Sequence, residues 1–287
     1  MDLAEIRRQI IIALFADDEL MQRLVLKGGN ALTLIYKLSS RASLDLDFSI
    51  ENDFEDIDAT RQRIFRTLKD RFDSAGYVVF DERLDAKPKL SGPDERPWWG
   101  GYELKFKLIE KKKHSAMLHK PDKMRIDSLI VGPSQQRVFT VDLSKYEYTD
   151  GKIELDLDDY TIYVYTPAMV AIEKLRAICQ QMPEYEVKGQ GRPRARDFFD
   201  IHLVLSKEGI DLTASENLDL IQSIFAAKRV PLRLISKIRD QRNFHAPDWP
   251  SVVASVTGDI QGFDFYFDFV VGETERLQPL WEEQAPI

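Results

Sequence analysis

Two acidic side chains in the segment SLDLDFS invite a chemical reading. Asp45 and Asp47 stand two residues apart. A strand alternates its faces with period two, so both carboxylates point the same way. Like charges forced onto one face repel, which serves no structural purpose, and a divalent cation resolves it. Leu44, Leu46 and Phe48 take the opposite face and supply the burial that fixes the register. Upstream lie Gly28, Gly29 and Asn30, then an apolar helical run (Ala31, Leu32, Leu34, Ile35, Leu38), then Arg41 and Ser43. A glycine pair lets backbone approach a ligand closely and accepts positive φ. A helix over about 30–38 aims its first N–H groups above that turn, a favourable place for phosphate.

The elements that must hold these residues follow from periodicity. Helices are expected over about 2–21 and 56–75, with a short strand at Leu24–Leu26. Further strands are expected at Tyr77–Phe80, Tyr102–Glu110, Val138–Leu143 and Tyr160–Thr166. The stretch 83–101, rich in proline and glycine, reads as a loop and carries Trp98 and Trp99. From Pro167 onward the period becomes helical, with helices over about 167–181, 195–207, 215–227, 231–239 and 272–283. The fold class is α+β: residues 1–165 as a mixed sheet with flanking helices, then residues 166–287 as a mainly helical domain.

Composition narrows the class. The chain has 287 residues, 44% hydrophobic and 31% charged, with a net charge of −8. It can bury a core, and no apolar run approaches the roughly 18–20 residues of a membrane span. The N-terminal stretch mixes acid and base and lacks the pattern of a secretory signal. The one cysteine, Cys179, falls in a helical pattern and reads as a small buried hydrophobe. The expected setting is the cytoplasm, with no membrane. An acidic chain contacts nucleic acid only through a local basic patch. One such patch is Lys105–Arg125, with Trp98, Trp99 and Tyr102 upstream. A second runs through Lys228, Arg229, Arg233, Lys237, Arg239 and Arg242.

Taken together, GG-N, an interval of about a dozen residues and R-x-S-x-D-x-D-F-S resemble the first motif of the DNA polymerase β-like nucleotidyltransferases, the AbiEii/AbiGii-type toxin branch in particular. The resemblance extends to three later segments. TIYVYTP follows a strand ending in Asp142; E-K-L-R-A carries Lys174; R-D-F-F-D-I carries Asp197. It implies a polymerase β-like catalytic domain, with the helical domain completing the nucleotide and acceptor cleft. Two-metal phosphoryl transfer uses carboxylates from two neighbouring strands. The third acid comes from Glu103, Asp127 or Asp142, and Asp142 is favoured. The implied metal ligands are then Asp45, Asp47 and Asp142, holding Mg²⁺ or Mn²⁺. Gly28, Gly29, Asn30, Arg41 and Ser43 are the implied nucleotide contacts. Lys174 is implied to meet the phosphates, and Asp197 to position Lys174, bind nucleotide or act near the acceptor. Read without the resemblance, Glu173, Lys174 and Arg176 form a solvated helix face. Asp200 would cap the helix or pair with an arginine.

The activity implied is transfer of an NMP from an NTP to an acceptor hydroxyl. The implied acceptor is the 3′ end of tRNA or another RNA, and the setting a toxin–antitoxin or phage-defence pair with a cognate antitoxin. Two alternatives stand beside it: transfer to a protein or small molecule, and a nucleotide-binding partner protein that catalyses nothing.

Overall fold

The computed structural model describes residues 1–39, 45–88, 98–132, 135–187 and 191–282. Arg41, Ser43 and Leu44 lie outside the described residues. The chain forms two compact units, Met1–Asn30 with Ser43–Val164, and Ala31–Ala42 with Tyr165–Ile287.

The first unit is built on a seven-stranded mixed sheet. Its helices are α1 (Leu3–Phe15), α2 (Asp18–Arg23), the single turn α3 (Gly28–Asn30), α4 (Ile57–Ser74), α5 (Lys111–Ala116) and α6 (Pro121–Asp127). Its strands are β1 (Val25–Lys27), β2 (Leu46–Ser49), β3 (Tyr77–Lys87), β4 (Gly101–Glu110), β5 (Phe139–Ser144), β6 (Ile153–Leu157) and β7 (Tyr160–Val164). They lie in the order β3-β4-β5-β2-β1-β7-β6. Long-range pairing sets the register: β2 runs parallel to β5, and β1 runs antiparallel to β2.

That register gives the sheet two unlike faces. On one, Leu46 pairs with Val141 and Phe48 with Leu143, while Phe106 pairs with Phe139. All six are buried. Phe106 stacks on Phe139 at 5.4 Å between ring centres and meets Phe72 of α4 at 6.3 Å. Phe15 of α1 packs on Phe48 at 6.0 Å. Each such side chain removed from water contributes roughly 1.5–3 kcal/mol. The other face carries Asp47 and, beside it, Asp142, while Asp45, expected on the same strand, lies in the bend that precedes it. Local caps mark the helix ends: Asp56 accepts hydrogen bonds from the N–H groups of Asp58 and Ala59, at 3.0 and 2.9 Å, to begin α4.

Several expectations shift. The first helix divides at Ala16, where the side chain of Asp17 caps a second helix by accepting from Glu19 and Leu20. The loop expected from residue 83 is strand as far as Lys87, paired with β4 after a bulge between Phe80 and Arg83. Strand β6 was not among the expected strands, although Ile153, Leu155 and Leu157 alternate with Glu154 and Asp156; its residues are largely exposed. Asp127 ends a helix and lies on no strand. The helix expected at about 30–38 is the turn at Gly28 and, in the second unit, a wide turn at Ala31–Ile35, where Tyr36 N–H donates to Ala31 O at 3.1 Å.

The second unit contains α7 (Pro167–Cys179), α8 (Ala195–Glu208), α9 (Ser215–Ala227), a 3₁₀ run at Leu232–Gln241, α10 (Arg242–His245), α11 (Trp249–Val253), α12 (Phe263–Glu275) and α13 (Gln278–Glu282). Thr166 caps α7 by accepting from Met169 N–H at 3.2 Å, and Pro167 occupies the first turn. The terminal helix expected over 272–283 is two helices, α12 beginning at Phe263. The period there is blurred by a run of aromatics that pack on α8 from several sides, among them Phe267 on Phe198 at 5.2 Å. Cys179 is buried, as expected.

Phe106→Ala removes the ring shared by α4, β4 and β5 and is expected to cost about 3–5 kcal/mol of stability in urea denaturation.

Candidate active site

The glycine turn at Gly28 and strand β2 are adjacent in the first unit. Gly28 turns the chain with φ +73°, which a side chain resists. A Cβ at that position would stand 2.5 Å from the Asp47 carboxylate. Glycine is therefore required twice over, by backbone and by the close approach of Asp47. Asn30 donates from its side-chain amide to the backbone oxygen of Asp45 at 2.5 Å, tying the turn to the start of β2. Asp45 sits in the bend that precedes the strand and is exposed. Arg7 of α1 is buried, and the charge of Asp45 acts on it; burial lowers its pKa and Asp45 raises it.

Cross-strand register decides which later acid stands beside Asp47. Asp142 is its direct partner on parallel β5, and Glu103 is the next partner outward, on β4. Asp85 of β3 continues the row. Of the three acids considered for the third carboxylate, Asp142 is thus the one next to Asp47, while Asp127 is elsewhere on a helix.

Cations accompany these acids. Lys87 Nζ donates to both oxygens of Asp142, at 2.9 and 3.0 Å, and to Glu103 at 3.3 Å. Burial alone would lower the Lys87 pKa, but the bond to Asp142 and the charges of Asp142 and Glu103 raise it overall. Lys105 pairs with Glu103. Lys27, the β1 partner of Asp47, forms a buried ion pair with Glu147 at 3.2 Å. Sequence reasoning missed Lys27, Lys87, Glu147 and Arg7. The signal for Lys27 was its position directly before the glycine pair, and for Lys87 its period-two spacing from Asp85.

Mg²⁺ takes oxygen ligands and is held by one or two carboxylates plus substrate phosphates and water. Asp47 and Asp142, neighbours on one sheet face, match that donor set, and Asp45 lies two residues from Asp47. Among the described residues, no three His, Cys, Asp or Glu side chains stand together as a metal cage.

The second unit holds a different cluster. Lys174 of α7 is 5% exposed, contrary to a solvated face. Its ammonium contacts Asp197 at 3.0 Å and Asp200 at 2.8 Å, both on α8. Arg194 also pairs with Asp197. Burial alone would raise the Asp197 pKa, but the charges of Arg194 and Lys174 hold it far below the ordinary carboxylate range. Arg176 is buried as well, bonding the Ile224 carbonyl at 3.2 Å and Glu173 at 3.2 Å. Asp200 thus partners Lys174. His245 completes the surroundings, fully buried against Phe198 at 5.1 Å. Its Nδ1 accepts from the Arg194 N–H at 3.0 Å, so the imidazole is neutral.

The two basic stretches are largely compensated. Lys107 and Arg125 pair with Asp81, Lys111 with Asp73, and Lys113 with Glu110. Lys112, Lys120 and Lys123 are exposed on α5 and α6 and the turn between them. Tyr102 is engaged inward, donating to Asp53 at 2.7 Å and packing on Phe54. In the second stretch Lys237 pairs with Glu184, Arg239 with Glu275, and Arg242 with Asp264 and Asp268.

A glycine turn seated on an acidic strand, with a second acid beside it on a parallel neighbour, is an arrangement suited to nucleotidyl transfer. Residues 10–270 match the family described as nucleotidyl transferase AbiEii toxin of a type IV toxin–antitoxin system, and the chain belongs to that family. Two solved structures show a similarity. One is a candidate nucleotidyltransferase from H. pylori, 18% identical, covering 99% of this chain and 97% of its own, with a TM-score of 0.47. The other is an antigenic nucleotidyltransferase-like protein from Paracoccidioides brasiliensis, 15% identical, covering 88% and 94%, with a TM-score of 0.36. No protein of curated function matches. The protein is a nucleotidyltransferase of a toxin–antitoxin family, and among the described residues no helix is long and apolar enough to cross a membrane.

The buried imidazole gives a pH test. Burial pushes the His245 pKa down from 6.5 to about 4. The folded state therefore prefers neutral His245. Its contribution is fully present above about pH 6.5 and is lost as pH falls toward 4, by at most about 3 kcal/mol. The Asp197 contribution is lost only below the ordinary carboxylate pKa of about 4, so the two windows separate. Urea unfolding of His245→Asn at pH 7 and pH 4.5 should lose much of the wild-type difference; an unchanged difference contradicts the assignment.

Proposed function

We propose that this toxin transfers an NMP from an NTP to an acceptor hydroxyl, with RNA, the 3′ end of tRNA above all, as acceptor. The observation that carries the chemistry is the register of Asp47 beside Asp142, with Gly28 fitted against Asp47. These two aspartates, joined by Asp45, would hold Mg²⁺ or Mn²⁺. When bound, the divalent cation neutralises phosphate charge and lowers the pKa of the acceptor hydroxyl.

The chain's own residues do the rest. Gly28 and Gly29 bring backbone close to the β- and γ-phosphates, and Asn30 fixes the position of Asp45 through its carbonyl. Arg41 and Ser43 belong to the same phosphate contacts by their place in the motif. Lys174 meets the phosphates as pyrophosphate leaves. Of the roles open to Asp197, the 3.0 Å ion pair favours holding the Lys174 ammonium in place, with Asp200 as a second support. The exposed Lys112, Lys120 and Lys123 support an RNA acceptor, since a phosphate backbone seeks uncompensated cations. A cognate antitoxin is the partner that the family implies, and the cytoplasm is the setting in which NTP and tRNA meet.

The test is incubation of labelled NTPs with Mg²⁺, total tRNA and the protein. Label is expected in RNA. Asp47→Asn and Asp142→Asn are expected to lower transfer by at least about 10²–10³-fold while unfolding cooperatively like wild type. Label appearing on protein or a small molecule redirects the acceptor. Transfer undiminished in both variants overturns the carboxylate assignment.

A further inference from the structure

We propose that Lys87 is a resident counter-cation at Asp142, which a divalent metal must displace to take that carboxylate. The proposal rests on the reading of Asp142 as a metal ligand. Lys87 closes β3, two residues after Asp85 and therefore on the same face. Register carries that face from Asp85 to Glu103, Asp142 and Asp47 in turn. The strand partner of Lys87 is Gly101, which puts no side chain on the lane between them. The lysine stem crosses to Asp142 and its ammonium straddles both oxygens, at 2.9 and 3.0 Å, with Glu103 at 3.3 Å. A cation placed symmetrically on a carboxylate occupies the seat a metal would take.

Two lysines beside this row differ in a way that assigns their roles. Lys27 and Glu147 are 6% and 3% exposed, so that pair is fixed in the interior. The Lys87 side chain is 53% exposed and Asp142 28%. An exposed ammonium returns to water at little cost, because screened pairs are weak. Lys87 therefore relieves the repulsion among Glu103, Asp142 and Asp47 before metal arrives, and leaves when it does. Metal loading is an exchange of one cation for another, and the apparent metal affinity lies below the intrinsic one. Once displaced, Lys87 no longer cancels the charge of Asp142, and the acids act together on the metal.

The experiment is Mn²⁺ titration of the full chain without nucleotide, read by the EPR signal of free Mn²⁺. Lys87→Met is expected to tighten Mn²⁺ binding about tenfold, the effect of one removed, partly screened charge. Lys87→Arg keeps the charge and is expected to bind as wild type does. Asp142→Asn is expected to weaken binding in either background. If Asp142→Asn leaves affinity untouched, the ligand reading of Asp142 fails, and the exchange with it. If Asp142→Asn weakens binding while Lys87→Met leaves it unchanged or weaker, the ligand reading stands and the Lys87 proposal is overturned. Thermal melts in EDTA confirm that each variant is folded.

Discussion

Carboxylates at one register on neighbouring strands repel, and a sheet that places Asp47 beside Asp142, with Glu103 next in line, must be held together by something else. The opposite face supplies it. Leu46, Phe48, Val141, Leu143, Phe106 and Phe139 are buried there against α1 and α4. Because the side-chain period is two, burying that set fixes the acids on the far side. A one-residue slip would expose the aromatic rings, so the hydrophobic core enforces the electrostatic strain. Lys87 and Lys105 then relieve part of it locally.

The second unit meets the opposite problem and solves it by neutralisation. Lys174, Arg194, Asp197 and Asp200 carry charges that sum to zero, and three of these side chains are almost fully buried. Removing one partner from such a cluster leaves an uncompensated charge and typically costs about 3–5 kcal/mol. Positions on α7 and α8 are thereby locked to each other, and His245 fixes the start of α8 through the Arg194 N–H.

Much of this was legible because it was local. The alternation of Leu46 and Phe48 against Asp47 gave β2, although Asp45 falls in the bend before it, and the alternation of Leu104, Phe106 and Leu108 against Lys105 and Lys107 gave β4. The glycine pair marked a turn with positive φ, and Gly28 has it. What escaped depended on partners far away in the chain. Asp142 was favoured over Glu103 from its clear strand and the family resemblance, but its direct pairing with Asp47 is a matter of β2–β5 register, which local pattern does not reveal. Lys87 hid at the edge of a proline-rich segment that read as loop. Lys174 and Arg176 resembled a solvated helix face because their compensating groups lie on other segments. The basic runs overstated the free positive charge for the same reason, since acids such as Asp81, Glu184 and Glu275 answer them across long sequence separations.

The central claim is that Asp47 and Asp142 jointly bind the catalytic divalent cation. The most direct measurement is a crystal structure of the wild-type chain with Mn²⁺ and a non-hydrolysable NTP analogue, examined by anomalous scattering. A manganese peak is expected in contact with carboxylate oxygens of both aspartates and with the nucleotide phosphates, with the Lys87 ammonium withdrawn from Asp142. A bound nucleotide whose manganese lies away from either aspartate would contradict it.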